Sequence, residues 1–139
     1  MLRKIQFFIW ATLLIACQDK KNINPAADIT GKWRLISYCY PSGGLSSGCQ
    51  PVIVPDSKGV YIEFSSKGAF NETYKNTIPA DYAFMGCGSG SYEISDKNIR
   101  IRAMCMSSTE GKLVEISSLS NKKLILKPYT VGEYVFVKE

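Results

Sequence analysis

Apolar side chains in this chain recur at every second residue of short runs, and this alternation limits the fold more than any other feature of the sequence. Successive side chains of an extended strand point to opposite faces, so a period of two predicts strands with one dry face and one wet face. In the first such run, Trp33, Leu35 and Cys39 fall on one face, with cations on the other. Turn-forming residues separate the runs. The sequence therefore predicts antiparallel strands joined mostly by hairpins.

The predicted strands are short and are spread over most of the chain. The segments that follow the alternation clearly are 31–39, 60–64, 69–75, 91–94, 99–104, 113–119, 123–127 and 134–138. A weaker segment, 81–85, comes after an interruption at Pro79, and we expect it to be a short or edge strand. A chain of 139 residues has room for one domain. We therefore predict an all-β fold, an antiparallel barrel or sandwich of about eight strands.

Residues 1–28 are predicted to be an export signal followed by a tether, both of which precede the domain. Residues 1–16 combine a basic start with an apolar stretch too short to span a membrane, which is the layout of an export signal. Residues 17–28 lack periodic apolar residues and contain Pro25, so they predict a flexible tether. The folded domain is then expected to occupy residues 29–139.

The export signal ends in Leu14-Ile15-Ala16-Cys17, which resembles the lipobox of bacterial lipoproteins. The resemblance implies that Cys17 is lipidated and becomes the mature N-terminus, so that the lipid is the contact with the membrane. The expected location is the bacterial cell envelope, at the outer membrane. The lysines occur in short pairs among acidic and apolar residues, so they predict a solvated surface and no nucleic-acid partner.

Four further cysteines, Cys39, Cys49, Cys87 and Cys105, follow the lipobox. An exported chain passes through an oxidising compartment, where disulfides are the default. Three pairings are open. Local spacing favours Cys39–Cys49, which would close a Gly/Ser-rich segment, and Cys87–Cys105, which would staple a hairpin. The chain has no C-x-x-C pair and no histidine, so neither a metal site nor a catalytic cysteine is predicted.

Candidate catalytic groups are few, because the chain lacks histidine, the commonest general base. Glu63 and Glu72 lie on the two arms of the first predicted hairpin and are candidate cross-strand neighbours. Glu63 is predicted to face outward into solvent, so acid–base catalysis by this pair is not expected. The glycine-rich segment 86–90 does not lead into a helix, so it predicts a disulfide-bearing turn and not a phosphate site. No enzyme activity, cofactor or metal is predicted.

Three aromatic residues near Pro79 are the candidates for a ligand-binding site. Tyr74, Tyr82 and Phe84 flank the interruption, where the mouth of a barrel is expected. Aromatic side chains line many small-molecule pockets. Ordinary packing in the core is the alternative interpretation for each of them.

Several segments of the domain resemble the lipocalin-like lipoproteins of Bacteroidota. The domain opens with a Gly-x-Trp motif, Gly31-Lys32-Trp33, as those proteins do at the first barrel strand. The other matching segments are Ile62-Glu63-Phe64, Gly68-Ala69-Phe70, Gly90-Ser91-Tyr92-Glu93-Ile94, Leu124-Ile125-Leu126 and Tyr134-Val135-Phe136. Residues 87–105 are also similar to the META domain of envelope lipoproteins. The lipocalin-like resemblance implies an up-and-down β-barrel of about eight strands over residues 29–139, with Trp33 at its floor.

Three functions are compatible with these expectations. The first is non-enzymatic binding of a small apolar ligand by the barrel of an envelope-anchored lipoprotein. The second is a structural module or one that binds another envelope protein, since a small barrel can be filled by its own side chains. The third, an enzyme, has the least support in the sequence. A pocket of a few hundred Å³ would favour the ligand, and a filled interior would favour the partner.

Overall fold

The computed structural model describes residues 29–41 and 48–139, so the predictions for residues 1–28 lie outside the described residues. The described strands are β1 (Gly31–Pro41), β2 (Cys49–Ile53), β3 (Gly59–Phe64), β4 (Ala69–Lys75), β5 (Ser89–Ser95), β6 (Asn98–Ala103), β7 (Lys112–Leu119), β8 (Lys123–Lys127) and β9 (Tyr134–Lys138). Within the described ranges, no helix is long and apolar enough to cross a lipid bilayer.

The strands close into an antiparallel barrel. Each strand from β3 to β8 pairs with the next one along the chain, and β9 returns to pair with β1. The other edge of β1 is shared, because residues 31–34 pair with β3 and residues 37–41 pair with β2. The barrel thus consists of β1 and β3–β9, with β2 added beside β1. This arrangement confirms the predicted all-β, up-and-down barrel.

Two strand predictions differ from the structure. The sequence does not predict β2, because Pro51 stands in its middle. The proline fits there because β2 pairs with β1 alone and needs no second set of backbone hydrogen bonds. The predicted strand 81–85 is wrong, since residues 79–86 form turns and bends whose amides bond to a side chain. The bounds of the other predicted strands agree with the structure to within a few residues.

A β-bulge changes the face presented by the end of β1. The pairing of β1 with β9 skips one position between Leu35 and Ser37, so Ile36 is the extra residue. A bulge of this kind interrupts the strict alternation of side chains along a strand. Tyr38 therefore packs against the core. The prediction that Cys39 shares the inward face of Leu35 is wrong for the same reason.

The interior of the barrel is filled by its own side chains. Every strand except β2 contributes buried apolar residues. The largest fully buried side chains are Trp33, Tyr134, Phe64, Phe70, Phe136, Ile29, Leu35, Ile62, Ile99, Ile101, Leu124 and Leu126. At the floor, the indole N–H of Trp33 donates a 2.7 Å hydrogen bond to the carbonyl of Ile29. A ligand site therefore has to be sought at the ends of the barrel.

The two ends of the barrel differ in the length of their connections. At one end, which we call the hairpin end, the strands are joined by the short turns 65–68, 96–97 and 120–122. Ile29, the first described residue, lies there too, because it precedes the start of β1 beside the end of β3. At the opposite end, which we call the loop end, the connections are 76–88, 104–111 and 128–133.

Candidate functional site

The connection between β4 and β5, residues 76–88, folds across the loop end, and we call it the plug. Phe84 near its centre is 5% exposed and packs edge-on against two core rings. Its ring centroid lies 5.3 Å from that of Tyr134 and 5.4 Å from that of Phe136. Tyr82, also in the plug, packs against the same core with a partly buried side chain. These aromatic contacts stabilise the plug on the barrel.

Glu72 fastens the plug to the barrel wall. Its side chain points inward from β4 and is 3% exposed. The backbone N–H groups of Phe84, Met85 and Gly86 donate hydrogen bonds to its carboxylate at 2.8, 2.9 and 3.0 Å. The hydroxyl of Tyr74 donates a fourth at 2.6 Å. A buried carboxylate is costly unless its oxygens are hydrogen-bonded, so these four bonds allow Glu72 to occupy the interior.

The three amides converge on one carboxylate because the backbone turns at the end of the run. Gly86 has a φ of 72°, a conformation that glycine adopts without steric cost. Successive amides in such a turn form a concave nest, which is a common binding site for anions. Here the anion is the protein's own Glu72. The plug is therefore attached to the barrel by polar contacts as well as by Phe84.

Tyr74 is held in its protonated form. Burial raises the pKa of its hydroxyl above the ordinary value, and Glu72 raises that pKa further through the hydrogen bond and through its charge. Burial also raises the pKa of Tyr92, whose hydroxyl donates to the carbonyl of Ser65 at the hairpin end. Tyr74 thus remains a hydrogen-bond donor to Glu72 at neutral pH.

A cleft of about 380 Å³ lies at the loop end, beside the plug. Plug residues 79–81 and 83–86 form one part of its lining, and Tyr38, Tyr129 and Tyr134 form the rest. The rings of Tyr38 and Tyr134 stack with a centroid separation of 5.2 Å and an angle of 10° between their planes. The volume falls within the range typical of small-molecule sites.

The structure separates the three aromatic residues that the sequence suggests for a pocket. Phe84 lines the cleft. Tyr74 and Tyr82 instead support the plug, the first through Glu72 and the second through packing against the core. The sequence does not predict the lining residue Tyr38, because the bulge that brings it to the core has no signal in the alternation.

Both favoured disulfides are present, and both lie at the loop end. Cys39–Cys49 joins β1 to β2, with a Cα separation of 5.3 Å. Cys87–Cys105 joins the end of the plug to the connection after β6, with a Cα separation of 5.2 Å. The two cross-links constrain the segments around the cleft, and none of these cysteines lines it.

The expectation that Glu63 and Glu72 are cross-strand neighbours is wrong. In the register of β3 and β4, Glu72 lies opposite Ile62, and Glu63 lies opposite Asn71. The two carboxylates consequently face opposite sides of the sheet, Glu63 in solvent and Glu72 in the interior. The sequence could have indicated the inward direction of Glu72, because Glu72 follows Phe70 by two residues and residues two apart in a strand face the same side.

The groups at the loop end can be stated from the described residues. Within residues 29–41 and 48–139, no group of three or more histidine, cysteine, aspartate or glutamate residues could hold a metal ion. Glu72 is engaged by four hydrogen bonds and does not line the cleft. What the cleft offers is aromatic surface and backbone groups of the plug, which can contact a small molecule.

The fold and the cleft define a small closed β-barrel with a ligand-sized cavity at one end. The model of the lipocalin-like domain family matches residues 29–126, and the chain belongs to this family. Membership confirms the resemblance drawn from the sequence, and it assigns the chain to a class of barrels that generally bind small ligands without catalysis.

Solved structures also resemble this barrel. A lipocalin-like protein from Bacteroides uniformis has a TM-score of 0.54 and 22% sequence identity, over 81% of this chain and 99% of its own. An uncharacterized protein from Bacteroides eggerthii has a TM-score of 0.42 and 20% identity, over 81% of this chain and 100% of its own. No curated protein matches the sequence. The first similarity supports the barrel fold.

Proposed function

We propose that this chain is a non-enzymatic binding protein of the bacterial envelope, anchored by a lipid on Cys17, that holds a small and largely apolar molecule in the loop-end cleft. The observation that supports this most is the fixed plug. Glu72 and Phe84 hold it against the barrel, beside a cleft of about 380 Å³. A site that is already formed loses less conformational freedom when it binds, which favours affinity.

The lining of the cleft suits a compact molecule with a cyclic or aromatic body. Phe84 and three tyrosines, Tyr38, Tyr129 and Tyr134, contribute to it. Aromatic rings provide apolar contact area for such a body. Because the barrel interior is packed with its own side chains, the cleft is where such a molecule would be held.

The position of the N-terminal side of the barrel is compatible with the proposed anchor. Ile29 lies at the hairpin end, whereas the cleft lies at the loop end. A lipid on Cys17 would connect to the barrel through residues 18–28 at the hairpin end. The cleft would then be on the far side of the barrel from the membrane attachment, open to ligands from solvent.

Titration with the neutral fluorescent probe N-phenyl-1-naphthylamine tests the proposed binding. The protein for this test is the chain from residue 17 with Cys17→Ser, which retains the whole described barrel and avoids detergent. We expect saturable binding of one probe per chain. Ala83→Trp, which fills the cleft from the plug, should weaken binding by about tenfold or more.

The matched control is Ala69→Trp, an exposed position at the hairpin end, which should leave the affinity unchanged. Absence of saturable binding would contradict the proposed function. Equal affinities of the two tryptophan variants would contradict the assignment of the cleft as the site.

A second candidate function, docking of another envelope protein at the loop end, is favoured by exposed apolar side chains. Ile78 is 58% exposed, Met104 is 81% exposed and Val131 is 41% exposed, and all three lie on loop-end connections. Exposed apolar side chains are frequent at protein contacts. In-cell cross-linking, combined with probe titration, separates the two functions. The double variant Ile78→Asp with Val131→Asp would abolish a partner's cross-link and retain probe binding. Ala83→Trp would retain the cross-link and weaken probe binding.

A further inference from the structure

We infer that the loop-end cleft selects a small organic cation, an ammonium group on an apolar body, over neutral and anionic molecules of the same size. The inference rests on the proposed binding function and specifies the charge of the ligand. It follows from the direction of three peptide groups, from the charges in and beneath the cleft, and from its aromatic lining.

The peptide groups of the plug present their oxygens on the side away from Glu72. The N–H groups of Phe84, Met85 and Gly86 all point at the Glu72 carboxylate. A trans peptide holds its C=O group antiparallel to its N–H group, and the described chain has no cis peptide bond. The carbonyl oxygens of residues 83–85 therefore point away from the carboxylate, and all three residues belong to the lining of the cleft.

These three oxygens retain the capacity to accept hydrogen bonds. No described residue donates a hydrogen bond to the carbonyl of Ala83, Phe84 or Met85. A ligand with N–H donors would satisfy them, and a charged donor would do so more strongly than a neutral one. A carboxylate or phosphate would need N–H donors instead, and the amides of residues 84–86 already donate to Glu72.

The charged side chain in the lining of the cleft is acidic. Among the described residues, Asp81 is the one charged residue that lines it, it is exposed, and no described cation pairs with it. Lysine and arginine together outnumber the acidic residues of the chain by 17 to 12, yet none of those in the described ranges lines the cleft. Beneath the plug, Glu72 is stabilised by hydrogen bonds, and no cation of the described residues forms an ion pair with it. The two carboxylates and the carbonyl dipoles each contribute a negative potential at the cleft.

The aromatic lining adds a second attraction for cations, because the face of an aromatic ring is negative. At Tyr129 one such attraction is already made within the protein, because the Nζ atom of Lys112 lies 3.6 Å from the centroid of this ring. Lys112 itself does not line the cleft. A cationic ligand would thus meet carbonyl oxygens on the plug, tyrosine rings on the wall and Asp81 among the lining residues.

Three soluble probes of nearly the same shape test the inference by isothermal titration of the same Cys17→Ser chain at neutral pH. They are phenethylamine, which is a cation, 2-phenylethanol, which is neutral, and 3-phenylpropionate, which is an anion. We expect phenethylamine to bind about tenfold or more tightly than 2-phenylethanol. The anion should bind more weakly than either.

Asp81→Asn should reduce the affinity for phenethylamine by about threefold or more and leave that for 2-phenylethanol unchanged, since one charge is lost at constant shape. Asp96→Asn, which removes an exposed carboxylate at the hairpin end, is the matched control and should change neither affinity.

The outcomes separate the inference from the proposed function. Equal affinities for phenethylamine and 2-phenylethanol, or tighter binding of 3-phenylpropionate, would overturn the inference and leave the binding function intact. The same holds if N-phenyl-1-naphthylamine binds and phenethylamine does not. If no probe binds at all, the proposed function itself fails.

Discussion

The carboxylate of Glu72 accepts a 2.6 Å hydrogen bond from the hydroxyl of Tyr74, its neighbour two residues along β4. Residues two apart in a strand lie on the same face, so the alternation of β4 is what brings the two side chains together. The same carboxylate receives the plug amides of residues 84–86. The shape of the cleft therefore depends on an acid and a phenol that do not line it.

Replacement of Glu72 by glutamine should destabilise the barrel and loosen the plug. The amide has nearly the same shape, but its NH₂ group cannot accept, so at least one plug N–H group loses its partner. We expect the free energy of unfolding, measured by urea denaturation, to fall by about 1–3 kcal/mol. Glu63→Gln, at an exposed position of β3, is the control and should change it by less than about 0.5 kcal/mol. Equal effects of the two substitutions would contradict the role of Glu72.

Tyr74→Phe should alter how stability depends on alkaline pH. Burial first, and Glu72 second, raise the pKa of Tyr74 above its ordinary value of 10.0 in the folded protein. The contribution of the phenol is therefore fully present below about pH 10 and is lost as the pH rises, because the unfolded chain then releases a proton that the folded chain keeps. The difference in unfolding free energy between wild type and Tyr74→Phe should stay constant up to about pH 9 and shrink as the pH rises above about 10. A difference that stays constant would show that the phenol titrates alike in both states.

Removal of the Cys39–Cys49 disulfide should affect stability without affecting binding. The bond closes a loop with a sequence separation of 10, and replacing both cysteines by serine should lower the free energy of unfolding by about 2–4 kcal/mol. Neither cysteine lines the cleft, so probe affinity should persist wherever the variant is folded. Loss of binding in a fully folded variant would mean that this bond shapes the site.

Lipidation of Cys17 is checked by mass spectrometry of the protein isolated from its native membrane. The chain should begin at Cys17 and have a diacyl or triacyl group there, and Cys17→Ser should move the protein to the soluble fraction. A mature chain that starts elsewhere, or an unmodified Cys17, would contradict the proposed anchor.

Strand positions could be predicted from the sequence where the local pattern decides them. β8 and β9 begin and end at the predicted residues, because alternating apolar residues bounded by turn formers suffice to define a strand. β2 could not be predicted in this way. Its pairing with β1 depends on a partner outside its own segment, and Pro51 conceals it.

The candidate site was harder to predict because contacts between distant residues create it. Tyr38 meets Tyr134 across β1 and β9, after a bulge at Ile36 that local propensity does not indicate. The fastening of residues 84–86 to Glu72 likewise joins segments that the sequence separates. The alternation of β4 indicates that the Glu72 side chain points inward, but it does not indicate which groups donate hydrogen bonds to its carboxylate.

The most direct test of the central claim, that a small molecule binds in the loop-end cleft, is an NMR titration of the ¹⁵N-labelled chain with the tightest-binding of the probes above. Amide signals of residues 83–86 and of Tyr129 should shift and saturate with the probe, while those of the hairpin-end turns 65–68 and 120–122 should not move. Shifts concentrated at the hairpin end, or no saturable shifts in the plug, would contradict the claim.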